Sequence, residues 1–194
     1  MSNMGEIRKL VDTMLATNEA FAVDLRDGDQ ALEGGADSLV FAATSLRLAY
    51  NLRKRDYLAQ QEPGSPANTA ETHSAEKLQA YQNQMGRFYS LAKEAAVPRG
   101  SRLLTHMEAE FGAPPAHPLL WEAHDRTTTA IYYAHSTVHS VELTNQRMKA
   151  AETLSPEIME ITAEELTICR GGIVTALENK EEADQFLIQY RETL

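Results

Sequence analysis

Along most of the chain, apolar residues return every three or four positions, the repeat of a helix with one buried face. Ile7, Leu10, Val11, Met14, Leu15, Phe21, Ala22 and Leu25 predict a first helix, with Ser2 or Asn3 as its cap. Arg26 to Asp29 and the pair Gly34-Gly35 predict an interruption. Leu39, Val40, Ala43, Leu46, Ala49, Tyr50 and Tyr57 then predict a second helix, from Asp37 to about Gln61. The Pro-, Gly-, Ser- and Thr-rich stretch from Glu62 to Ser74 predicts a flexible loop. A third helix is expected over Ala75 to Val97, closed by Pro98-Arg99-Gly100, and a short fourth from Ser101.

The longest uninterrupted pattern runs from Pro118 to about Leu154. Pro118 suits a first helical position, where its missing N–H costs nothing. Leu120, Ala123, Ile131, Ala134, Val138, Val141 and Met148 share one sector of this helix, and Tyr132 and Leu143 a second. Arg126, Thr129, Tyr133, Ser136, Thr137, Ser140, Thr144 and Arg147 form a face expected to be solvated. Two apolar sectors predict a central helix with several neighbours. Beyond it, Ser155-Pro156-Glu157 is a start signal, and Thr162 to Glu165 and Asn179 to Glu182 read as capping boxes that open two more helices. Strand signals are thin, since no stretch alternates strictly between turns. The expectation is an all-α, single-domain helical bundle, residues 1–194, of about six or seven helices around the long central one.

Composition narrows what this fold can do. Formal net charge is -10, which argues against nucleic acid and against an anionic membrane surface as partners. Met1 to Leu25 is too polar for a secretory signal, and no apolar run approaches a bilayer span. The single cysteine, Cys169, excludes a disulfide framework within the chain and fits a reducing compartment, so a cytoplasmic protein is expected. No catalytic triad, phosphate-cradling glycine loop or HExxH motif is present.

One row of residues carries candidate chemistry. His124, Thr128, His135, His139 and Glu142 fall between the two apolar sectors of the long helix, so they are expected to face the core or a groove. His135 and His139 are four apart and Glu142 three further on, which brings two imidazoles and a carboxylate to one side, ligands that zinc or iron accepts. A further ligand would come from another helix, with Glu19, Asp24, His106 and Glu108 as candidates. The pair resembles the HxxxH element of the DinB-like helix-bundle metalloproteins, a resemblance confined to these two residues. That family adds a histidine from another helix, and the second helix expected here has none. On this reading the chain is a metal-binding helical bundle, or a metal-dependent hydrolase or oxidase, that uses the His135–His139 pair.

The second functional class is a non-enzymatic protein-interaction module such as an adaptor, chaperone, inhibitor or immunity-type protein. Residues 150–194 carry ten carboxylates against Arg170, Lys180 and Arg191. Such asymmetry suits a protein partner with a basic surface, or a homo-oligomer. This is the preferred expectation.

Overall fold

A computed structural model describes residues 4–57 and 62–194. The expected cap at Ser2 or Asn3 and the expected helix end at Gln61 lie outside the described residues. The fold is all-α, with no strand among the described residues. Among the described residues four helical runs replace the six or seven expected: α1 (Met4–Arg55), α2 (residues 66–111), α3 (Pro118–Ala150) and α4 (Pro156–Glu192). Within α2, Pro66–Phe88 is α-helical, Tyr89–Ala96 is π-helical and Val97–Phe111 is α-helical again.

α1 also continues through Arg26 to Asp29, where an interruption was expected, and most of the other missing breaks have a local physical cause. Gly34 and Gly35 continue α1 because a neighbour presses on them: a Cβ on Gly35 would lie 2.6 Å from the Met85 methyl, and one on Gly34 3.1 Å from Gln84. Gly100 similarly faces Ile131 at 2.8 Å and Phe21 at 3.3 Å. Pro98 does not end α2, because the π segment closes just before it and places it in the first turn of Val97–Phe111, where no N–H is needed. Thr162 and Asn179 do not cap. Thr162 Oγ1 donates to the Ile158 carbonyl (2.8 Å) and Asn179 Nδ2 to the Thr175 carbonyl (2.9 Å), so both sit inside α4 with their polar groups satisfied one turn back.

The expected loop 62–74 is helical from Pro66. Ser65 Oγ accepts the Asn68 N–H (3.3 Å), and Pro66 follows it at the first position. Ser74, expected to precede the helix, is buried within it and donates to the Ala42 carbonyl (2.8 Å). At the far end of α2, Gly112 takes φ 94° and its N–H reaches the Glu108 carbonyl (2.9 Å), a left-handed stop that favours glycine.

The chain groups into two compact units. Unit one comprises Met1–Asp29, Tyr89–His139 and Gly171–Leu194; unit two comprises Gln30–Phe88 and Ser140–Arg170. In unit one, Val11, Met14, Leu103, Met107, Leu120, Ala123, Leu187 and Tyr190 form one buried cluster. Truncating a fully buried member such as Met107 to alanine removes about 2–5 kcal/mol of stability. The same unit buries a charge. Lys180, 4% exposed, places its ammonium 3.0 Å from Glu19 and against Asp184. Asn18 braces the group by donating to Asp184 and to the Lys180 carbonyl. In unit two, Leu39, Ala42, Tyr81, Met85 and Phe88 are buried, and the Tyr81 hydroxyl donates to Asn145 Oδ1 (2.9 Å).

The faces of α3 differ from expectation. Tyr132 and Leu143, assigned to a second apolar sector, are exposed, whereas Thr137 and Thr144, assigned to a solvated face, are buried. A threonine on a helix can spend its hydroxyl on the carbonyl one turn back, as Thr127 does on Ala123 (2.7 Å) and Thr137 on Tyr133 (2.9 Å). What it then offers a neighbour is a small, mostly apolar surface, and hydropathy alone misassigns it.

Two predictions follow from this packing. A Cβ on Gly172 would lie 2.1 Å from Thr137 Oγ1, while one on Gly171 meets nothing within 4 Å. Gly171→Ala should stabilise by about 0.5–1 kcal/mol through helix propensity. Its neighbour Gly172→Ala should destabilise by about 1–3 kcal/mol through overpacking. Urea unfolding midpoints of the two variants report the signs.

The second concerns acid. The Glu19 carboxyl is held below its usual 4.5, first by the hydrogen bond from Lys180 and then by that from Arg26, against a smaller desolvation. The unfolded chain therefore takes up this proton first. The contribution is complete above about pH 4.5 and is lost as pH falls through the lower folded value. Stability should decline on acidification below that point, and Glu19→Gln should make the decline shallower when urea midpoints are compared across pH.

Candidate functional site

An open surface groove lies in unit two, where residues 33–47 of α1 run beside residues 157–170 of α4. One face of this α1 stretch is taken by α2: Leu39 and Ala42 are buried, and Gly35 rests on Met85 and Tyr81. The next face carries Ala36, Asp37 and Val40. Opposite stand Glu160, Ala163, Glu164, Thr167 and Ile168 of α4. Ala36 and Ala163 are buried and too short to fill the space above them, so they form the floor of an open groove of about 640 Å³. Val40 and Ile168 rise from its two sides. Ile168 is 77% exposed, an arrangement that leaves a large β-branched side chain in water with nothing to cover it. Ile161, one face-repeat before Ile168 on α4, and Phe41, beside Val40, are exposed as well.

Two cross-helix ion pairs bracket the groove. At one end the Arg47 guanidinium grips Glu160 through both nitrogens, one at 2.7 Å, and reaches Glu157 at 3.3 Å. At the other end Arg170 meets Glu33 at 3.1 Å. Since 33 pairs with 170 and 47 with 157 and 160, the two helices run antiparallel here. The Arg47 guanidinium is shifted upward by the hydrogen bonds it donates, first to Glu160 and then to Glu157. Glu157 is shifted downward, first by its own backbone N–H in the opening turn of α4, then by the Ser155 hydroxyl and Arg47. Between the brackets Asp37 and Glu164 are exposed, and neither has an ion-pair or hydrogen-bond partner among the described residues.

The histidine row is placed differently from expectation. His135 and His139 are exposed on α3 instead of facing the core, and Glu142 is half-buried. Among the described residues no group of three His, Cys, Asp or Glu side chains is gathered closely enough to hold a metal ion. The candidate ligands from other helices are engaged elsewhere in unit one. Glu19 pairs with Lys180 and Arg26, Asp24 with Arg99 at 3.0 Å, His106 lies 4.0 Å from Glu110, and Glu108 meets His124 at 3.0 Å. The physical reason is the one seen for threonine. The second apolar sector that would have turned the histidines inward is itself solvent-exposed, and the residues between two sectors face solvent with it.

The remaining chemical candidates are structural. Arg53 pairs with Glu71 and Arg55 with Asp56, so most of the basic cluster at the end of α1 is neutralised. Cys169 is half-buried, and its thiol is pushed up first by burial and then by Glu165, which leaves it a poor nucleophile at neutral pH. No described helix is long and apolar enough to cross a membrane.

Sequence reasoning missed the groove because its walls lie some 120 positions apart and neither is unusual alone. The accessible signal was the apolar count on α1: Val40 and Phe41 add to Leu39, Ala42 and Ala43, more apolar surface than one neighbour can cover. Comparison with protein-family models, with curated proteins and with solved structures found no match to this chain.

Proposed function

We propose that the chain is a non-enzymatic protein-interaction module, of the adaptor, chaperone, inhibitor or immunity type, that docks a helical segment of a protein partner in the groove between α1 and α4 of unit two. The observation that supports this is the combination of an alanine floor with uncovered walls. Ala36 and Ala163 leave room for a third helix to approach the pair, and Val40 and Ile168 stand where its apolar stripe would lie. An amphipathic helix laid in such a groove is a recurrent mode of peptide recognition, and it uses contacts spaced three and four residues apart. Full burial of an aliphatic side chain of this size contributes about 1.5–3 kcal/mol, and the exposed fractions of Val40 and Ile168 leave part of that to be gained on docking. The formal charge of -10 favours a partner with a basic surface through long-range attraction.

The test is site-directed photocrosslinking in cells. A photoreactive residue at Ile168 should yield one adduct of discrete mass, and Val40→Asp in the same chain should abolish it. The same residue at Ile188, an exposed position of unit one, should yield none. An adduct whose mass is twice that of the chain identifies a second copy as the occupant. Equal crosslinking at Ile168 and Ile188, or an adduct indifferent to Val40→Asp, contradicts the assignment.

A further inference from the structure

Which helix the groove selects follows from the charges that its own residues leave over, an inference that rests on the docking function proposed above. Among the carboxylates that border this stretch are Glu33, Asp37, Glu157, Glu160 and Glu164. The outer ones are taken, Glu33 by Arg170 and both Glu157 and Glu160 by Arg47. Arg47 shows in cis how this rim holds a cation. It spans from α1 to α4 and lays a two-pronged guanidinium on Glu160. Glu164 lies one turn further along the same face of α4, and Asp37 lies on the opposite wall. Both border the same cavity, and both lack a cation among the described residues.

The register set by the two ion pairs places Asp37 near Thr167 and Val40 near Glu164. The two unpaired carboxylates therefore face each other diagonally across the alanine floor, offset by about one helical turn. Between Glu33 and Arg47 α1 rises about 21 Å, roughly fourteen helical residues, and the groove's own lining lies within that span, from Ala36 to Val40 on α1 and from Glu160 to Ile168 on α4.

We propose that the groove is specific for a basic amphipathic helix. Its narrow apolar stripe packs on Ala36 and Ala163 between Val40 and Ile168. One lysine or arginine on each side of the stripe pairs with Asp37 and Glu164. An acidic helix meets two like charges at the rim and is rejected, and a neutral helix keeps the apolar contacts but gains nothing at the rim. Exposed pairs of this kind are individually weak, so each carboxylate contributes about a two- to fivefold gain in affinity. The selectivity between basic and acidic helices is larger than either gain alone, because it combines attraction with repulsion.

The experiment uses the full chain and a phage-displayed library of helical peptides of about sixteen residues. A leucine stripe is fixed at three- and four-residue spacing, and the flanking positions are fully randomised. Selection on the chain should enrich lysine and arginine at one flanking position on each side and deplete aspartate and glutamate. The Asp37→Asn/Glu164→Gln variant should bind the selected peptides about four- to twenty-fivefold more weakly and bind their glutamine-flanked versions as well as the parent does. Raising salt from 0.05 M to about 0.5 M should weaken the parent and leave the variant little changed. Peptides selected without basic flanks, yet lost on Val40→Asp, overturn the charge rule and leave the docking function standing. A library that yields no binder sensitive to Val40→Asp overturns both.

Discussion

The structure depends on how closely its long helices approach one another, and small residues set that distance. A Cβ on Gly35 would strike Met85, one on Gly100 would strike Ile131, and one on Gly172 would strike Thr137. Each glycine costs about 1 kcal/mol of helix propensity relative to alanine. Each also lets a neighbouring side chain rest directly on the helix backbone, and the dispersion and burial gained there offset that cost. Where the approach is made by alanines with nothing above them, at Ala36 and Ala163, the same principle leaves a groove instead of a filled crossing.

The helices are long because their polar groups are satisfied without leaving the helix. Thr13, Thr17, Thr44, Thr127, Thr137, Thr162 and Thr175 all return their hydroxyls to the carbonyl four residues back. Some of these residues are exposed and some buried, so the threonine content of the chain says little about which face meets water. The buried charge in unit one follows the same logic at a larger scale. Lys180 is tolerated where Glu19 and Asp184 meet its ammonium and Asn18 holds Asp184 in place.

These features explain what could be read from the chain and what could not. The all-α class, the start of α3 at Pro118 and the start of α4 at Pro156 were legible, because periodicity and proline placement are local signals. The glycine pairs and the capping-box sequences were not. A glycine that ends a helix and one that admits a neighbour look the same in sequence, and only the long-range contact separates them. Pro98 was misread for a related reason, since the π turn that accommodates it has no short signature. The inward placement expected of the histidine row is overturned by the assignment of faces: once Tyr132 and Leu143 are in water, His135 and His139 follow them. The groove was illegible as a site because its lining comes from two helices far apart in the chain.

The account's central claim is that Val40, Ile168 and the alanines between them receive a basic helix. Methyl NMR on the full chain, titrated with a leucine-striped, lysine-flanked peptide, tests it most directly. Shift changes should concentrate on Ala36, Val40, Ala163 and Ile168 and saturate together. Changes centred instead on unit-one methyls such as Ile7, Ile131 or Ile173 would contradict it, as would a spectrum that the peptide leaves unmoved.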